Sequence, residues 1–131
     1  MQVEFQTVFA RLRDILKAHA GSCSVERDTS VHYGLQAPVG PATVQAWGGK
    51  MRSPQIPVAW VEIGKNYVSC HLMGVYGNPK LLAGCSKELK ARMQGKSCFN
   101  FKTVDEPLLA ELEQLTILSI AGMRKAGYIG T

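Results

Sequence analysis

The sequence predicts an α+β fold, one antiparallel sheet with helices packed mainly on one face. Three observations point there. An amphipathic helix opens the chain, a hairpin with period-two alternation stands at its centre, and a strongly capped helix closes it. The 131 residues suit one domain, residues 1–131, with 46% apolar and 19% charged residues. A chain of that size can form a core without metal or disulfide staples.

The first helix is predicted over Gln2 to Ala20. Phe5, Val8, Phe9, Leu12, Ile15, Leu16 and His19 recur at three- and four-residue spacings and share one stripe. Gly21 stops the helix, since glycine accepts the left-handed conformation found at helix ends. Alternation at Cys23 to Asp28 and Val31 to Gln36 then predicts a hairpin, turning at Asp28-Thr29-Ser30. Pro38, Gly40, Pro41, Gly48, Gly49, Pro54 and Pro57 make the stretch from Ala37 to Pro57 a long loop, with a short strand at Val44 to Trp47.

The central hairpin runs over Val58 to Ile63 and Tyr67 to Met73, joined by Gly64-Lys65-Asn66. Alternation puts Ala59, Val61 and Ile63 with Val68, Cys70 and Leu72 on a core face. Val58, Trp60, Glu62, Tyr67, Ser69, His71 and Met73 take the opposite face. That set is too polar for a dry core and too aromatic for a plain solvent face. Asn78-Pro79 then starts a second helix that runs to about Gln94, with a break near Gly84-Cys85-Ser86. Ser97 to Thr103 reads as a strand, with Phe99 and Phe101 on one side and Cys98, Asn100 and Lys102 on the other. Asp105 caps the last helix, Pro107 sits in its first turn, and Gly127 closes it.

The formal charge is +5, concentrated in Lys80, Lys87, Lys90, Arg92, Lys96 and Lys102. A nucleic-acid platform would want that run on one face, interleaved with stacking aromatics; it reads instead as a solvated helix face and a loop. No stretch approaches the ~20 apolar residues of a membrane span. Arg11, Arg13, Asp14 and Lys17 break any leader-like apolar run, so a cytoplasmic chain is expected. Cys23, Cys70, Cys85 and Cys98 form no C-x-x-C pair and are expected as free thiols.

The stretch Lys65 to Met73, Val75-Tyr76, Lys87 to Lys90 and Gly95-Lys96-Ser97-Cys98-Phe99-Asn100-Phe101 resembles the YdhG-like family of small bacterial domains. The likeness covers roughly residues 56 to 116. It implies a two-layer sandwich similar to frataxin. Some relatives are described as frataxin-like iron chaperones, which bind iron weakly through acidic side chains of the first helix and the adjoining strand. Here that helix offers only Glu4 and Asp14 beside Arg11, Arg13 and Lys17, and hard cations want clustered carboxylates. The resemblance therefore carries the fold and not the iron site.

Metal-ligand spacing is absent, since Cys70 and His71 are strand neighbours that point to opposite faces. Gly95-Lys96-Ser97 lacks the earlier glycine of a phosphate loop, Lys90 standing in its place, and it leads into a strand. No serine occupies a nucleophile elbow. The reading is a non-catalytic binding module without cofactor, with a metal-handling protein as the alternative. Its site is the sheet face of Trp60, His71, Met73, Cys98 and Asn100. Lys96 stands ready for an anion, and the long loop would bring Trp47 over the face as a lid. A small molecule, a protein or a second copy of the chain is the candidate partner.

Thiol titration of denatured protein purified without reductant should return four free cysteines. A count of two or zero would show a disulfide and overturn the redox reading.

Overall fold

The computed structural model describes residues 3–46, 48–49 and 54–129. The order is α1 (Val3–Ala18), β1 (Ser24–Asp28), β2 (His32–Pro38), α2 (Pro41–Ala46), β3 (Gln55–Ile63) and β4 (Val68–Leu72). It continues with α3 (Met73–Gly77), a 3-10 turn (Pro79–Gly84), α4 (Lys87–Lys90), β5 (Met93–Gln94), β6 (Cys98–Phe101) and α5 (Glu106–Lys125). The six strands form one antiparallel sheet in the order β1-β2-β3-β4-β6-β5. The α+β class expected from the sequence is the one observed.

Two cross-strand rows define the core face. Val61, Cys70 and Phe99 lie side by side, as do Ile63, Val68 and Phe101. All but the half-buried Ile63 are buried. Phe5, Val8, Phe9, Leu12 and Leu16 of α1 bury their predicted stripe against β2, β3 and β4. Helix α5 lies beside α1 and adds Leu108, Leu112 and Leu115 to the same core. Its cap is as read from the sequence: the Asp105 side chain accepts a hydrogen bond from Leu108 N at 3.2 Å. Outside the core, Arg11 links α1 to α5 by pairing with both oxygens of Glu106.

Five expectations need correction. Val58 does not reach the open face. A bulge between Leu35 and Gln36 pairs Leu35 with Ala59 and Gln36 with Pro57, so Val58 is the extra residue and is fully buried beside Ala59. Met73 does not extend the strand but begins α3. There Gly74 packs against α5 so closely that any β-carbon would overlap the Ser119 carbonyl and hydroxyl oxygens. His19 is not core: its Nε2 lies 2.9 Å from Glu113 Oε2 and its side chain is partly exposed.

The stretch Asn78 to Gln94 is not one helix with a break. It is a 3-10 turn, a single turn of helix and a short strand. Ser86 restarts the chain as an N-cap, its Oγ accepting from Leu89 N at 3.1 Å. Glu111 of α5 holds Ser86 in place by accepting from its N and Oγ, both at 2.7 Å. Lastly, the described part of Val44 to Trp47 is the end of α2 rather than a strand. Proline at the first position favours a helix there. Trp47 itself lies outside the described residues. Helix α2 runs beside the C-terminal end of α5, where a β-carbon on Gly127 would stand 3.0 Å from Ala42 Cβ. The described part of the long loop is thus not a lid over the sheet.

Truncating Phe101 to alanine should cost about 3–5 kcal/mol in denaturant unfolding, as buried aromatics do. Lys102→Ala, on the exposed neighbour, should stay within about 0.5 kcal/mol. A loss under about 1 kcal/mol at Phe101 would mean that the sheet faces are reversed.

Candidate functional site

The alternation that buries Val61, Cys70 and Phe99 turns their neighbours to the opposite face. Trp60, His71 and Cys98 form one row there, and Glu62, Ser69 and Asn100 form the next. The first row begins with Gly34, which pairs with Trp60. A β-carbon on Gly34 would stand 3.0 Å from the Glu26 carbonyl oxygen and 3.4 Å from Trp60 Cβ. Glycine is what lets β2 lie this close to the Glu26 backbone of β1.

The two rows are internally bonded. The Trp60 and His71 rings stack with centroids 4.4 Å apart and planes inclined by 10°. Ser69 Oγ donates to Asn100 Oδ1 at 2.9 Å, and Asn100 Nδ2 donates to Gln94 Oε1 at 2.9 Å. Tyr67 OH donates to the same Gln94 oxygen at 2.8 Å. The Cys98 thiol donates to Asn100 Oδ1 at 3.3 Å, and its sulfur lies 3.6 Å from His71 Nε2. Glu62 stands between two imidazoles, 3.9 Å from His71 Nε2 and 3.6 Å from His32 Nδ1.

An open hollow of about 630 Å³ lies over this region. Glu62, Ser69, His71 and Cys98 form its floor, Gln94 flanks them, and the Gly64 to Tyr67 turn forms a wall. Burial holds His71 below the ordinary histidine range; His32 adds to the effect and Glu62 opposes it. Burial also pushes the Cys98 thiol up, with Ser69 opposing and the Glu62 charge adding. The pair therefore rests as neutral thiol and neutral imidazole. A cysteine nucleophile needs the opposite, a thiol activated as thiolate.

The structure brings together Trp60, His71, Cys98 and Asn100 from the residues singled out by sequence. Met73 is separate: it lines an apolar cavity of about 480 Å³ between α2, α3 and α5, with Tyr76, Met123 and Tyr128. Lys96 also turns away, its Nζ standing 5.9 Å from the Tyr76 ring centroid. Trp47 lies outside the described residues. Gln94, which ties Tyr67 to Asn100, was missed because β5 is two residues long and follows a helical pattern. Among the described residues, no three His, Cys, Asp or Glu side chains are grouped so as to hold a metal ion. None of the described helices is long and apolar enough to cross a membrane.

Comparison with family models, with curated proteins and with solved structures finds no match to this chain.

The His71 shift has a stability consequence. Its folded-state value lies below that of the unfolded chain, about 6.5, so the unfolded state binds more protons as pH falls below that point. The contribution of His71 is complete above about pH 6.5 and is lost as pH falls toward the folded value. The His71 ring resonances should titrate with a midpoint below about 6.5, and His71→Gln should flatten the stability slope just under that pH. A midpoint at or above 6.5 would contradict the burial assigned to the ring.

Proposed function

We propose that this chain is a YdhG-like domain that acts as a non-catalytic binding module, taking a small ligand on the sheet face opposite the helices. One observation carries the reading: the bonded rows Trp60-His71-Cys98 and Glu62-Ser69-Asn100 stand on an uncovered face, with the hollow over them. Pockets are lined in this manner, by an aromatic element and a few convergent polar groups. The network leaves groups free to meet a ligand. Gln94 and Asn100 spend their amide oxygens internally, while the Tyr67 hydroxyl oxygen keeps its acceptor capacity and the Glu62 carboxylate, though near His32 and His71, stays partly open to solvent. The neutral state of Cys98 and His71 favours recognition over nucleophilic chemistry.

A fragment screen by amide chemical shifts on labelled protein tests this. Hits should cluster on Glu62, Ser69, His71, Gln94 and Cys98, and should weaken in His71→Ala and Trp60→Ala. Hits centred on α1 or α5, or hits indifferent to both substitutions, would remove the proposal.

A further inference from the structure

Two metal-binding atoms face each other at the floor of the hollow. Cys98 and His71 are direct cross-strand partners, so the sheet itself sets the spacing of Sγ and Nε2 at 3.6 Å. The stack on Trp60 fixes the plane of the His71 ring and hence the direction of its nitrogen. Two donors bound almost in line to one ion, at about 2.0 Å for nitrogen and 2.3 Å for sulfur, stand about 4 Å apart. The pair needs only a small side-chain rotation to reach that separation.

The surroundings select the ion. The Glu62 carboxylate stands 3.9 Å from His71 Nε2, yet among the described residues no three His, Cys, Asp or Glu side chains are grouped so as to hold a metal ion. Structural zinc wants four such donors, and hard divalent ions want a shell of oxygens. A pair made of one thiolate and one imidazole suits a soft cation that accepts two ligands, and among biological metals that is Cu(I). Charge agrees: one thiolate and one monovalent ion sum to zero, so binding adds no net charge beside the Glu62 carboxylate, which stands 3.9 Å from His71 Nε2.

We propose that Cys98 and His71 form a two-coordinate site for Cu(I). On binding, the Cys98 S–H bond breaks and its proton passes to solvent, while sulfur–copper and nitrogen–copper bonds form. The metal stays cuprous, so no oxidant or reductant takes part. The proposal deepens the reading of the hollow as a binding site and rests on it for the openness of this face.

The test uses the full chain, reduced and anaerobic, titrated with Cu(I) in competition with bicinchoninate. The protein should retain one equivalent. Cys98→Ser and His71→Asn should each lower the affinity roughly tenfold or more, about 1.4 kcal/mol. Cys23→Ser and Cys85→Ser should leave it unchanged, and Zn²⁺ should not compete. Because His71→Asn also removes the Trp60 stack, a second measurement uses the unaltered protein. Ag⁺, a diamagnetic stand-in, should shift the His71 ring nitrogens and the Cys98 amide. Shifts centred on Cys23 or Cys85, unchanged affinity in both site variants, or equal competition by Zn²⁺ would overturn the proposal. Fragment hits in the hollow without copper retention would sink this site alone. Copper retention without fragment hits would keep the pair and remove the small-molecule reading.

Discussion

The burial of Val61, Cys70 and Phe99 in one row, and of Val68 and Phe101 in the next, decides where every other side chain of the central sheet must fall. Each such side chain contributes roughly 1.5–3 kcal/mol by leaving water. A slip of one residue in β4 would expose Val68, Cys70 and Leu72 together and bury Ser69 and His71 in their place. Register is therefore fixed by the apolar face, and the polar face inherits its order. Trp60 meets His71 and Cys98, and Ser69 meets Asn100, because the hydrophobic rows leave them no other position.

A second constraint keeps that polar face open. At Met73 the chain leaves the sheet, and Gly74 presses its backbone against Ser119 of α5. A side chain at that point would force α3 and α5 apart. The helical connection that follows is anchored to the same helix through Glu111 and the backbone and hydroxyl of Ser86. These hydrogen bonds hold Glu111 below the usual carboxylate range, the backbone bond from Ser86 contributing most. With the connection tied to α5, the open face keeps only short cover from the Gly64 to Tyr67 turn.

Elements with strong local signals were legible in the sequence. Helix α5 carries Asp105, Pro107 and Gly127 at its ends, and each does there what its chemistry suggests. The β3–β4 hairpin was legible because both strands alternate. Two failures share a cause, which is that packing overrode a local pattern. Val58 follows the alternation of β3 but is turned inward by a bulge set by its pairing with β2. The stretch from Asn78 to Gln94 has helical composition and would place Leu81, Leu82, Leu89 and Met93 on one side of a continuous helix, yet Glu111 of α5 binds the N and Oγ of Ser86. It therefore breaks at Ser86 and ends in a strand edge that completes the sheet. For the site, Trp60, His71, Cys98 and Asn100 were reachable from alternation alone. Gln94 was not, because its role depends on that edge.

Cys70 and Cys98 show how far strand parity determines chemistry. They are diagonal neighbours, Cys70 opposite Phe99 and Cys98 opposite His71. Burial in the core pushes the Cys70 thiol up to about 12, so it serves as a small apolar filler. Cys98 is also raised by burial, but it is only half-buried and keeps three polar neighbours, Ser69, Asn100 and His71. In Cys70 the sulfur's reactivity is suppressed by its surroundings. In Cys98 the sulfur is held in place, neutral and reachable, beside a nitrogen whose lone pair is kept free of a proton by the same partial burial. The two residues have the same side chain and the same sheet. The face they fall on, set by the aromatic row of β6, is what makes one structural and leaves the other available to a ligand.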